Sequence, residues 1–439
     1  MKCIQCQTDN TLKDRTDNHG RCKQCQHPFV FEPTSMGATK VTDMMFAKAI
    51  ADLSANDTLF FTPKQLFYLF NKHLQGRGML QPIGLLILSG FATVFALVTI
   101  VLPGLEKGYW GFLLIPIVIN GLCLWELWHR SQSQRVSSQE RGYASRCLQV
   151  HGWAILVFGM IFGLNLNLFP FFAGSVVVGL AAVYWGRRGW INRAAISSVA
   201  LLEWAKFQEW LTSWQTVNPI TKILEPPKET QVALNVNPDV TAYSFDRLVV
   251  TDSAAIAQLL IANNFHFENN CAILSVTGYP QGIFLTAMEM LRRNPELKVY
   301  AFHDCSGKGM GLAHHLRTSP QWFQNSPVEI VDVGLLPRQI LSIPSVFVQQ
   351  STEFAGASKR LTDLERRQFT ADELAWLDEG NAVLLESFTP QRLIQALNRG
   401  IAASREFLEK DSSSGGSDGS DSIFIGDGGS PHYSVESFG

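Results

Sequence analysis

Three long stretches without a single Asp, Glu, Lys or Arg constrain this chain more than any other feature: Gly78–Leu105, Gly108–Trp125 and Cys147–Gly186. A bilayer core takes about 20 apolar residues per helix, so the first two stretches predict one span each. The third is too long for one helix and fits two, broken at Asn165, Asn167 and Pro170, because the polar groups of such a turn are satisfied at an interface and not in hydrocarbon. The expected spans lie near 82–103, 108–128, 149–167 and 169–186, inside a membrane region of 78–190. Trp110, Trp125, Trp128, Trp153, Trp185 and Trp190 fall near their ends, where interfacial aromatic belts sit.

Orientation follows from basic residues beside the spans. Lys72 and Arg77 precede the first; Arg130, Arg135, Arg141 and Arg146 lie between the second and third; Arg187, Arg188 and Arg193 follow the fourth. The remaining loops hold only Glu106 and Lys107. Both termini are expected in the cytoplasm of a multi-pass plasma-membrane protein, and no cleavable signal peptide is expected before a first apolar stretch that begins near residue 80. The only ionisable groups inside the spans, Glu126 and His151, sit near ends, which argues for an anchor and against a transport path. Gly159, Gly163, Gly174 and Gly179 have the small-residue spacing of close helix packing.

Eight cysteines are present, four as Cys3-x2-Cys6 and Cys22-x2-Cys25. Two such knuckles bring four thiolates to one tetrahedral Zn²⁺, closed and therefore structural; the alternatives are two chance Cys-x2-Cys pairs or a set of disulfides, the latter disfavoured by a reducing cytoplasm. The polar residues between the knuckles, Asn10, Asp14, Asp17, Asn18 and Gly20, fit a short hairpin, and Phe29 and Phe31 can cover the site, so 1–35 reads as a zinc ribbon. Residues 36–77 read as a small helical unit, with Thr42 or Asp43 capping one helix and Thr62-Pro63 opening a second that runs to His73.

After the membrane, Leu201, Leu202, Trp204, Phe207, Trp210, Leu211 and Trp214 recur at helical spacing, and Pro219, Pro226 and Pro227 mark a linker, giving an amphipathic helix and linker over 191–238. From 239 to 409 strands and helices alternate. The strands are Arg247–Val250, Cys271–Val276, Lys298–Phe302 and Val328–Val333, an order that predicts an α/β domain with a mostly parallel sheet. From 410 to 439 the chain is rich in Ser, Gly and acid and is expected to be a disordered acidic tail. A net charge of -2 gives no overall basic footprint for nucleic acid.

Ligands of parallel sheets bind at the carboxyl ends of strands, which nominates Thr251, Asp252, Thr277, Gly278, His303, Asp304, Ser306 and Lys308. Leu248-Val-Val-Thr-Asp252, Val276-Thr-Gly-Tyr-Pro280, Val299-Tyr-Ala-Phe-His-Asp-Cys-Ser-Gly307, Gly334-Leu-Leu-Pro337 and Leu385-Glu-Ser-Phe-Thr-Pro390 follow one another along the domain. In that order they resemble the Toprim domain of the topoisomerase VI A subunit, shared by the nuclease subunit of Wadjet-type defence systems. The resemblance covers roughly 240–400. It implies clustered carboxylates that hold Mg²⁺ for phosphodiester cleavage, with Asp304 and Glu386 at matching positions. Here Thr251 stands where that family has Glu, and Ser306 where it has the second Asp of Asp-x-Asp. Asp252 is one residue out of register and, on a strand, would face the other way. The family's cleaving members use a Tyr on a winged helix; Phe61-Thr-Pro-Lys-Gln-Leu-Phe-Tyr68 is faintly similar to it, though an aromatic on an apolar face is the plainer reading of Tyr68.

His303 beside Asp304 could ligate a metal or meet a phosphate. Gly307-Lys308-Gly309 could hold a phosphate on backbone N–H groups or serve only as a tight turn, and Arg292, Arg293, Lys298, Lys308 and Arg317 make a weak basic strip. Three functions are expected in turn. The first is a membrane-anchored binding or regulatory protein whose Toprim-like domain is a pseudoenzyme, with a nucleic acid, nucleotide or protein as ligand. The second is a Mg²⁺-dependent phosphodiester-cleaving enzyme using Asp304, Asp252 and Glu386. The third is a membrane scaffold that binds proteins through the zinc ribbon and the C-terminal domain, with the tail as a further contact for protein partners.

Overall fold

The computed structural model describes residues 1–37, 39–76, 81–101, 110–133, 136, 138–165, 169–192, 200, 202–227, 245, 247–282, 284, 287–288, 297–342 and 346–411. They belong to two compact units: Met1–Asn71 with Leu202–Ile340 and Gln349–Gly439, and Lys72–Leu201 with Leu341–Val348. Helices α1 (Leu12–Asp17), α2 (Asp43–Leu53) and α3 (Pro63–Gly76) come first; α4 (Gln81–Ala96), α5 (Leu114–Gln132), α6 (Ser138–Asn165) and α7 (Phe169–Asn192) follow, then α8 (Trp204–Val217). The expected tail lies outside the described residues beyond Asp411.

In the first unit the Cys knuckles are separated by α1 and not by a hairpin. Thr11 accepts from the N–H of Asp14 while the Asp14 carboxylate accepts from the N–H of Thr11, a reciprocal cap that starts a helix where polarity alone suggested a turn. Phe31 packs on the neighbouring helices. Its ring packs 5.2 Å from Phe46 of α2 and 5.8 and 6.0 Å from Trp210 and Trp214 of α8. Phe70 of α3 and Phe207 of α8 complete this aromatic core around the fully buried Phe46. The apolar face of α8 is therefore spent on α2 and α3. The segment after α8 is held at Ile223 and Leu224: Ile223 forms a parallel bridge with Phe61 and the Leu224 N–H donates to the Phe61 carbonyl, while 228–238 lies outside the described residues.

The same unit holds the α/β part. β1 (Arg247–Thr251), β2 (Cys271–Ser275), β3 (Lys298–Phe302) and β4 (Ile330–Asp332) form one all-parallel sheet in the order β2-β1-β3-β4. The β1 and β2 residues are almost all buried, as strands covered on both faces are. Leu248, Val250, Leu274, Val299 and Ala301 build one face of the core with Leu312, Leu316 and Trp322; on β3, Tyr300 alternates to the other side and its hydroxyl meets Ser404 at 2.8 Å, on the helix Pro390–Asp411. The chain leaves β1 toward β2 and returns past β1 to β3. The crevice at the carboxyl ends of β1 and β3 is thus the switch point where such sheets bind ligands.

Among the described residues of the second unit three helices are long and apolar enough to cross a membrane: Pro82–Ile100, Glu140–Asn165 and Phe169–Trp190. The second expected span falls on α5, whose last turns carry Glu126, His129 and Arg130. α6 and α7 form a tight antiparallel pair. A β-carbon on Gly159 would lie 2.3 Å from the Cβ of Ser175, and one on Gly179 2.9 Å from the Gly152 carbonyl. Gly163 meets Phe172 in the same way, whereas Gly174 faces open space and takes no part in the contact.

Candidate functional site: a four-cysteine centre and a closed acidic rim

Two places in the first unit gather side chains able to do chemistry. The first is the four-cysteine centre. Cys3, Cys6, Cys22 and Cys25 place their sulfurs within 4.8 Å of one another, with Cys3–Cys25 at 3.6 Å and Cys6–Cys22 at 3.5 Å. A tetrahedral thiolate site with Zn–S near 2.3 Å has sulfurs about 3.8 Å apart, so the donor set fits such an ion. Four thiolates this close repel unless a cation lies among them. Gln7 and Gln26, each in the left-handed region just after a knuckle, bend the chain so that both pairs face inward. Asn10 braces the second knuckle: its Nδ2 donates to Cys22 Sγ at 3.5 Å and its Oδ1 accepts from the Lys23 N–H at 2.9 Å. Asp43 ties the module to α2 by accepting from the N–H groups of Val30 and Phe31.

The second place is the rim of the sheet. β1 ends at Thr251, so the strand alternation that would turn Asp252 away has already stopped. Asp252 lies on the rim and its Oδ2 accepts from the Asp304 N–H at 2.8 Å. Thr251, fully buried, turns its hydroxyl onto the Ser253 carbonyl. The Asp304 carboxylate accepts from the Leu385 N–H. Burial, and then the charge of Asp252, hold Asp304 well above the usual carboxylate range.

His303 is not a free ligand. It is fully buried; its Nδ1 lies 2.9 Å from the Asp304 carbonyl and its Nε2 3.0 Å from Asp332 Oδ1. Both partners are acceptors, so both ring nitrogens must carry protons and the ring is a cation. Burial works against that charge, but the Asp332 carboxylate outweighs it and raises His303 to about 9. No lone pair remains for a metal. Gly334 lets the ring lie against the backbone: a β-carbon there would fall 2.3 Å from Nε2.

Ser306 caps the short helix Gly307–Met310 by accepting from the Gly309 N–H at 3.1 Å. The glycines of that turn are set by packing and not by an anion. A β-carbon on Gly307 would meet the backbone of Ser358 at 2.2 Å, and one on Gly309 the Asp304 carbonyl at 2.1 Å. Lys308 is exposed, near enough to Asp252 to favour its charge. Thr277 and Gly278 lie in the turn after β2, beside the end of β1, where Thr277 shares a hydrogen bond with Ser275. Of the basic strip, Lys298 pairs with Glu329 and Arg317 donates to the Ile330 carbonyl; Arg292 and Arg293 lie outside the described residues.

Glu386 joins the rim from the other end of the chain, and the start of α3 covers it. Thr62 donates to Glu386 Oε1 at 3.3 Å, Lys64 Nζ lies 3.2 Å from Oε2, and Gln65 donates to the Phe388 carbonyl at 2.9 Å. Thr62 and Gln65 also cap α3 reciprocally, with Pro63 in its first position. Tyr68, one turn on, accepts from Gln349. Burial, followed by the charges of Glu386 and Asp304, pushes its phenol up to about 12. Asp252, Asp304, Glu386 and Tyr68 are thus neighbours. Yet among the described residues only the four cysteines form a group of three or more such side chains with all ligand atoms within 4.8 Å. Asp332, Lys64 and Gln349 are the members of this site that sequence reasoning missed.

Compared with models of protein families, with curated proteins and with solved structures, the chain matches none.

Proposed function

We propose that this chain is a membrane-anchored binding or regulatory protein with four spans and both termini in the cytoplasm. On the cytoplasmic side it carries a four-cysteine zinc module and a Toprim-like α/β domain that does not cleave. The observation behind this reading is the occupation of the acidic rim by the protein's own groups: Leu385 N–H on Asp304, Asp304 N–H on Asp252, and Thr62 with Lys64 on Glu386. A Mg²⁺ site needs several oxygens free to converge on one small ion. Tyr68 fits the same reading, since a nucleophilic hydroxyl requires activation by a base or a lowered pKa and this one is shifted the other way. Zn²⁺ would be held by Cys3, Cys6, Cys22 and Cys25, where it supplies a closed structural cross-link. The ligand class that fits is a nucleic acid, nucleotide or protein partner.

A second reading, Mg²⁺-dependent phosphodiester cleavage, is favoured by one observation: Asp252 Oδ1 is buried without a hydrogen-bond partner, on the rim shared by Asp304, Glu386 and Tyr68. Mn²⁺ titration of the full-length protein in detergent separates the two, with wild type set beside Asp304→Asn. The pseudoenzyme reading expects the same metal binding in both up to millimolar Mn²⁺. A site present in wild type and lost in Asp304→Asn overturns it.

A further inference from the structure

The second unit carries an unpartnered cationic surface at one end of its helices. Gly189 on α7 lies within contact of Ser145 on α6 and Ser131 on α5, so the end of α5, the start of α6 and the end of α7 are brought to one level. Both acidic side chains there are already engaged by one arginine: Arg130 lies 2.7 Å from Glu126 and 3.3 Å from Glu140. Arg141 is buried and donates to the Ser133 and Val136 carbonyls. Arg146, Arg187 and Arg188 are exposed and have no acidic partner among the described residues. Arg146 is also held in place, its guanidinium 3.7 Å above the ring of Trp190. Stacking of that kind fixes the plane of the guanidinium and leaves its N–H edge free for a bidentate oxyanion.

These three arginines bracket the ends of the two apolar helices Glu140–Asn165 and Phe169–Trp190. In a bilayer that is the depth of the headgroups, where exposed Tyr184 and Trp185 also lie. We infer that Arg146, Arg187 and Arg188 form a binding site for the headgroup phosphate of an anionic phospholipid, with Trp190 as its floor. This inference rests on the membrane reading given above. Charge complementarity supports it: a net positive helix end, with the only nearby carboxylates among the described residues neutralised, is set against an anionic leaflet.

The test is native mass spectrometry of the full-length protein released from nanodiscs of equal phosphatidylglycerol and phosphatidylcholine. Wild type is set beside R146Q/R187Q/R188Q and a control, K13Q/R360Q/R392Q, which removes three exposed charges from the other unit. Wild type and control are expected to retain phosphatidylglycerol over phosphatidylcholine. The arginine variant is expected to lose that preference, by roughly fivefold for each guanidinium removed, while staying in the membrane fraction after alkaline carbonate. No preference in wild type, or an unchanged preference in the arginine variant, overturns the lipid site alone. Release of wild type by carbonate overturns the membrane reading and the lipid site with it.

Discussion

Replacing Cys22 with Ser is expected to abolish metal binding and to unfold the N-terminal module. A serine hydroxyl is no substitute for a thiolate, and a three-sulfur remnant loses the closed tetrahedral shell. Structural Zn²⁺ in small modules supplies apparent free energies of about 10 kcal/mol or more at neutral pH. Residues 1–31 have little else, because their few buried side chains include Cys3, Cys22 and Phe31. Metal analysis of the purified protein should fall from one zinc per chain to none. Trypsin should then cut at Lys13, Arg15, Arg21 and Lys23, sites protected in wild type. Damage should spread to α2, since Asp43 would keep its buried carboxylate while losing the Val30 and Phe31 N–H groups that satisfy it.

The second large effect concerns His303. Its removal in His303→Ala leaves Asp332, Asp252 and Asp304 around a cavity without its cation, a loss of about 3–5 kcal/mol for breaking a buried ion pair. The same pair predicts a pH dependence. A histidine raised from an ordinary value near 6.5 to about 9 in the folded protein stabilises it fully below pH 6.5. That contribution is lost as pH rises through 9, and it is on the order of 3 kcal/mol. Asp332 is shifted downward, burial opposing and the His303 charge prevailing, so the pair persists as pH falls through the ordinary carboxylate range. Thermal midpoints of wild type should drop between pH 6.5 and 9.5 by more than those of His303→Gln, which has no proton to lose there. Equal slopes in the two proteins would mean that His303 is neutral at pH 7.

What was legible in the sequence was what local spacing or composition controls. The paired Cys-x2-Cys steps, the charge-free stretches and the β-α-β-α-β alternation each need only a short window, and each has its counterpart in the cysteine cluster, the three long apolar helices and the parallel sheet. Helix α1 was also within reach, since Thr11 and Asp14 have the spacing of a reciprocal cap, but the polar composition around them pointed to a hairpin. The site itself was less legible. The direction of Asp252 depends on β1 ending at Thr251, just before it, which neighbouring strands decide. The state of His303 depends on Asp332, on another strand. Thr62 and Glu386 are 324 residues apart, and no periodicity brings them together. The apolar stripe on α8 was visible, but whether aromatic rings or lipid cover it is a tertiary fact, settled by Phe31, Phe46 and Phe70.

Closure of the acidic rim by the beginning of α3 is best measured by hydrogen exchange on the full-length protein. The two segments to follow are 61–68 and 383–388. Within them the N–H groups of Phe61, Val383, Leu385 and Phe388 donate to Lys222, Cys305, Asp304 and Leu385. If Thr62, Lys64 and Gln65 hold the rim shut, both segments exchange slowly, and Thr62→Ala with Gln65→Ala speeds them together. Fast exchange of 383–388 in wild type, or exchange there that ignores changes in α3, would mean an open rim and would contradict the pseudoenzyme account.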